Sequence, residues 1–194
     1  MKKGIIWAIV VVIVIALVGA GIYFEKQDAG DFGLKLETAD DMKIFLDAVY
    51  KKVEDKLPSL DTEIIDISDE SQVTSFTGLE SNEDIEALIV SMPLMNAQAY
   101  EAVMVKVKDG ANIESMKQEM LNDIDMSKWI CVSAEKLYIT NFGNVIFMVM
   151  SNEEWAEIVY NSFKEQVENN IGNELEKSEN TDYDLPPEMT IELD

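Results

Sequence analysis

Residues Gly4 to Phe24 form a run of 21 residues without a single charge, dominated by Ile, Val, Ala and Leu. No other feature constrains the chain as strongly. As a helix the run rises about 32 Å at 1.5 Å per residue, roughly the thickness of a bilayer hydrocarbon core. Trp7 and Tyr23 lie near its two ends, where amphipathic rings favour the membrane interface. Lys2 and Lys3 precede it and Glu25 follows it, so the positive-inside rule keeps the N-terminus cytoplasmic and sends the rest of the chain across. The expectation is a single-pass anchor at residues 1–24. An N-terminal signal segment is the alternative, with Val18-Gly19-Ala20 as small residues ahead of Gly21. Either way the remainder is extracytoplasmic.

Composition sets the limits on what that remainder does. Formal net charge is −23, every basic residue is lysine, and histidine is absent. So acidic a chain argues against nucleic acid, whose phosphates need basic neutralisation. Lack of histidine excludes every His-based triad and removes the commonest transition-metal ligand. Lack of arginine removes bidentate clamps for phosphate or carboxylate. Cys131 is the lone cysteine, in the apolar run Trp129-Ile130-Cys131-Val132, and reads as a buried small hydrophobe. A partner that uses the acidic surface is expected to be a basic protein or cell-surface component.

Four segments follow. Residues 1–24 are the anchor, 25–35 a polar linker, 36–171 an extracytoplasmic α+β domain, and 172–194 a disordered acidic tail with eight acidic residues against one lysine. Within the domain, Thr38-x-x-Asp41 suits a helix start, and Met42, Phe45, Leu46, Val49 and Val53 follow at helical spacing until Pro58. Residues 62–67 and 72–77 read as short strands. Ser81 to Asp84 reads as a second capping box opening a short helix, with Leu88 to Met92 extended. Val103, Val105 and Val107 alternate with more polar positions in a strand. Asn112 caps a helix with Ile113, Met116, Met120 and Ile124 on one face. Strands are predicted at Trp129 to Val132, Leu137 to Thr140 and Val145 to Met150, the last apolar enough to be central. A third capping box, Ser151 to Glu154, opens a helix striped by Trp155, Val159, Phe163 and Val167. This order implies a small domain of helices packed on a largely antiparallel sheet.

The stretches Glu83-Asp84-Ile85-Glu86, Met92-Pro93-Leu94-Met95-Asn96-Ala97-Gln98-Ala99-Tyr100-Glu101 and Val105-Lys106-Val107-Lys108-Asp109 resemble domain-of-unknown-function family 4358 over roughly residues 80–165. Members of that family look like small exported or membrane-anchored bacterial proteins. The resemblance implies a location and a fold, and no activity. The chain departs from the family in having Gly21 where a lipid-acceptor cysteine would stand, and in lacking arginine after Asn112.

Three constellations touch on chemistry. Ser133-Ala134-Glu135-Lys136 matches the Ser-x-x-Lys acylating pair, in which a lysine takes the serine proton. The Ser-Asp-Asn and Lys-Thr-Gly partners of that machinery are missing, so a surface turn is the simpler reading. Asp123-x-Asp125-x-Ser127 opens like a calcium loop, but Lys128 and Ala134 stand where glycine and the bidentate glutamate belong. Met92-x-x-Met95 and Met148-x-Met150 have spacings suited to Cu(I), although methionine in an apolar strand is ordinary core filler. No residue is therefore assigned a catalytic, cofactor or metal role. The leading expectation is a membrane-tethered accessory or interaction module. A small surface hydrolase using carboxylates or the Ser-Lys pair, and a metal-binding surface protein, are the alternatives.

Overall fold

The computed structural model describes residues 36–95 and 98–179. The anchor run 4–24, the linker 25–35 and the tail from 180 onward lie outside the described residues. Among the described residues no helix is long and apolar enough to cross a membrane.

Helix α1, Ala39–Lys51, starts where the sequence places it. The Thr38 hydroxyl accepts the Asp41 N–H, the Asp41 carboxylate accepts the Thr38 N–H, and Met42, Phe45, Leu46 and Val49 turn inward. A 3₁₀ turn, Glu54–Lys56, leads to strand β1, Leu60–Ile64. Next comes α2, Glu70–Thr77, where a strand is predicted. The Asp69 side chain caps it by accepting the Gln72 N–H, and Val73 and Thr77 are buried one turn apart. A local cap and i,i+4 burial thus outweigh the β-propensity of Val-Thr-Ser-Phe-Thr.

The Ser81 box opens no helix. Ser81 Oγ accepts the Glu83 N–H, and Ile85 N–H donates to the Asn82 carbonyl, which makes a turn into β2, Ile85–Pro93. Strand β3, Tyr100–Val107, is buried along its whole length. Helix α3, Ile113–Asp123, is capped by Asn112 as expected. Residues 129–132 form no strand. Cys131 takes φ +64, which breaks an extended run, and it is exposed, not buried. Strands β4, Lys136–Phe142, and β5, Val145–Ser151, are joined by the two-residue turn Gly143-Asn144, with Gly143 at φ +55. Helix α4, Glu153–Gln166, is capped by Asn152, one residue later than the box predicts. Ser151 instead ends β5, and its hydroxyl donates to the Ala99 carbonyl.

The predicted tail is corrected from its first residues. Leu175–Ser178 forms strand β6, and backbone order runs on to Glu179, whose N–H donates to the Glu135 carbonyl. The six strands are antiparallel in the order β1-β2-β3-β5-β4-β6, so β3 and β5 are central. Register assigns the faces, because alternate residues share one. Val103, Val105 and Val107 of β3, with Met148 and Met150 of β5, pack under Val73 of α2 and Met116 and Met120 of α3. The opposite face carries Phe147, stacked at 4.1 Å on Phe163 of α4, which meets Phe45 of α1 edge-on at 5.6 Å. The described residues form an α+β domain with four helices on a six-stranded antiparallel sheet, two to each face.

Candidate functional site

One end of the sheet gathers the chain's unusual features. Pro93 and Tyr100 flank the β2–β3 loop there, Lys136 closes the long α3–β4 loop, and Ser151 turns into α4. Described apolar side chains project from both loops: Leu94 is 67% exposed, Met95 70% and Ile130 85%. Exposed large side chains on a rigid scaffold call for an explanation in a way that isolated ones on a helix, such as Ile44, do not.

Beneath them lies a buried ion pair. Glu101 is fully buried at the start of β3, on the α2–α3 face. The Lys128 ammonium lies 2.7 Å from its Oε1, to which it donates, and 2.6 Å from Oε2, a Coulombic contact without hydrogen-bond alignment. The same ammonium donates to the Ser75 carbonyl at 3.0 Å and sits 5.4 Å from the Phe76 ring and 5.7 Å from the Trp129 ring. Burial pushes the Glu101 carboxyl up to about 7, against the lowering effect of Lys128. A carboxyl poised near neutrality has the right affinity for proton transfer. Its complete burial denies it a substrate, so its role is to clamp the start of the α3–β4 loop onto β3 and α2.

A second buried polar contact braces the same end. Tyr100 donates its hydroxyl to Tyr50 at 3.1 Å, and burial raises both phenols above their ordinary range. Beside it opens a shallow depression of about 270 Å³ lined by Gln98, Ala99, Val132, Ser133, Asn152 and Trp155, with Glu135 at its rim. It falls just below the usual range for drug-sized ligands, about 300–1,000 Å³.

The sequence constellations disperse on this scaffold. Ser133 lines the depression, but Lys136 is held elsewhere, 2.9 Å from Glu176 and 3.1 Å from Ser178 Oγ. Bonding to Glu176 raises the Lys136 pKa, the reverse of what a proton-accepting lysine needs. Asp125 spends its carboxylate on the Ser127 N–H at 2.8 Å, a local turn. Met148 and Met150 are wholly buried in β5, and Met95 is exposed at the loop end. Among the described residues no cluster of three or more acidic or cysteine side chains is arranged to hold a metal ion.

The Glu101–Lys128 pair is the feature that sequence reasoning missed. Its trace in the sequence is a glutamate at the head of the face that Val103, Val105 and Val107 continue. No family model, curated protein or solved structure matches the chain.

Proposed function

We propose that this domain is an extracytoplasmic interaction module, tethered by residues 4–24, that presents the loop end of its sheet to a basic protein partner. The observation that carries this reading is the exposure of Leu94, Met95 and Ile130 on two loops at one end of the sheet. Interface cores are built from such apolar anchors, and a polar rim sets specificity. A net charge of −23 favours a basic partner and speeds the encounter. Glu37, next to the first described residue, lies 3.6 Å from Lys106, at the far end of β3 from these loops. Glu37 therefore lies at the opposite end of the sheet from the presenting loops. The resemblance to a family of exported proteins is in keeping with this topology.

The test is crosslinking in intact cells that express the full-length chain, followed by recovery of the adduct. A chain carrying Leu94→Asp, Met95→Asp and Ile130→Asp is expected to lose the adduct and keep its melting midpoint. Ile44→Asp, equally exposed on α1, is expected to keep both. Loss of the adduct in the Ile44 variant alone would move the interface to the α1 surface and defeat the reading.

A further inference from the structure

Glu179, the last described residue, lies against the depression. Glu179 donates its N–H to the Glu135 carbonyl at 2.9 Å, and Glu135 lines the depression with Ser133 and Trp155. Six residues further on comes Leu185-Pro186-Pro187, the one strongly apolar and conformationally stiff triplet in an acidic stretch. Six extended residues span up to about 20 Å, so the triplet reaches the depression without disturbing β6.

Chemistry matches on both sides. Adjacent prolines favour the polyproline II form, with carbonyls exposed and no N–H on either proline. Grooves that recognise such segments pair an aromatic face with side-chain donors to those carbonyls. Here Trp155, Val132 and Ala99 supply the apolar wall, and Gln98, Asn152 and Ser133 supply donors. The volume, about 270 Å³, suits a few side chains better than a whole small molecule. Glu135 is the unfavourable neighbour for so acidic a tail. Its carboxylate accepts the Glu153 N–H at 3.2 Å, at the start of α4, which offsets part of that charge. Tethering adds an effective concentration in the millimolar range, so a weak intrinsic affinity is enough.

We propose that Leu185-Pro186-Pro187 of the chain's own tail docks in the depression lined by Trp155, Val132, Ala99, Gln98, Asn152 and Ser133. Docked there, the tail lies beside Gln98 and Ala99 of the β2–β3 loop and competes with whatever approaches that end. Occupation of the depression does not require the partner docking proposed above.

The experiment places a photoreactive amino acid at position 185 of the full-length chain. Irradiation is followed by proteolysis and mapping of the adduct by mass spectrometry. Adducts within one chain to the peptides carrying Val132–Ser133 or Trp155 are the expected result. Pro186→Asp with Pro187→Asp is expected to cut their yield about tenfold, the loss of one good contact. Trp155→Ala should do the same. The double-proline variant leaves every described residue untouched, so it decides the question if Trp155→Ala fails to fold. Adducts between two chains, adducts to another protein, adducts mapped elsewhere on the domain, or no adduct at all would overturn the proposal.

Discussion

Glu101 shows how one side chain writes itself into the stability of the whole domain. Its carboxyl is held up to about 7 in the folded protein against an ordinary 4.5. Between those values the native state binds more protons than the unfolded chain, so stability falls as pH rises through the window. A shift of this size corresponds to about 3 kcal/mol at most. Urea unfolding at pH 5 and pH 8 should therefore give a steeper loss for the natural chain than for Glu101→Gln, which keeps an oxygen for Lys128 but cannot ionise. Equal losses in the two proteins would contradict the role given to this carboxyl. The opposite limb belongs to Glu114 and Glu174, whose carboxyls are lowered chiefly by bonds to Lys117 and Lys164. Their contribution is present above their ordinary pKa and is lost in more acid solution. Gly78 makes a second single-residue case. It caps α2 at φ +76, and a Cβ there would lie 2.7 Å from the Ile124 backbone nitrogen. Gly78→Ala should cost about 2 kcal/mol or more, since the left-handed strain alone is about 1–2 kcal/mol and the backbone it meets cannot step aside. Gly110 has φ +86 but open space around it, so Gly110→Ala should cost only the strain, about 1 kcal/mol. Denaturation midpoints of the two variants check the contrast.

Elements were legible in the sequence where a cap and a stripe agreed, as in α1 and α3, or where the apolar pattern alone was strong, as in α4, whose cap is Asn152 and not Ser151. Helices α1, α3 and α4 and strands β3 and β5 follow from Thr38, Asn112 and the apolar patterns around them. The reading failed where a short segment was decided by its surroundings. Residues 72–77 carry strand-forming side chains but are drawn into a helix by Asp69 and closed by Gly78. Trp129 to Val132 look like a strand, yet Lys128 is pinned to Glu101 and the chain turns outward at Cys131. The apolar loop end was invisible because exposure of Leu94 or Ile130 has no periodic signature. Strand β6 was hidden by composition, since Gly172 reads as a boundary. In the fold that glycine is a close approach: its N–H donates to the Asn141 carbonyl, and a Cβ would lie 2.1 Å from Asn141 Oδ1. Lys117 then locks the junction. Fully buried, its ammonium lies 2.8 Å from each of Glu114, Asn141 and the Asn173 carbonyl. Tyr160 and Lys164 add bonds to Glu174 at 2.8 and 2.9 Å. Truncation after Ile171 should therefore cost about 3 kcal/mol or more, by removing the Asn173 carbonyl from the Lys117 ammonium and Glu174 from Tyr160 and Lys164, and by uncovering β4. Truncation after Glu179 should leave the melting midpoint at moderate salt nearly unchanged. Equal midpoints for the two truncations would show that β6 contributes nothing.

At the scale of the whole molecule the dominant quantity is a net charge of −23 on 194 residues. The fold pairs several lysines with carboxylates and leaves the excess of acid unmatched. Lys106, Lys117, Lys128 and Lys136 have side chains no more than 19% exposed and are committed to acidic partners, and Lys164 is held in a close pair with Glu174. The other lysines are far outnumbered by carboxylates, 15 lysines in all against 38 acidic residues, so the acidic groups repel one another in the compact state more than in the expanded chain. Raising ionic strength from 0.01 M to 0.15 M shortens the Debye length from about 30 Å to about 8 Å and should raise the melting temperature. Salt also weakens exposed pairs such as Lys52–Glu165 and Lys177–Glu179, but those are worth about 0–1 kcal/mol each, and the buried pairs are screened much less. Repulsion spread over the whole surface therefore decides the sign. Residues 180–194 contain five acidic side chains and no lysine, so truncation after Glu179 should reduce the salt-dependent gain while leaving the fold intact. Paired melting curves over that salt range, with and without the tail, measure both effects. A midpoint that stays level or drops as salt rises would mean that internal pairing already balances the surface, and the acidic shell would then no longer argue for a basic partner.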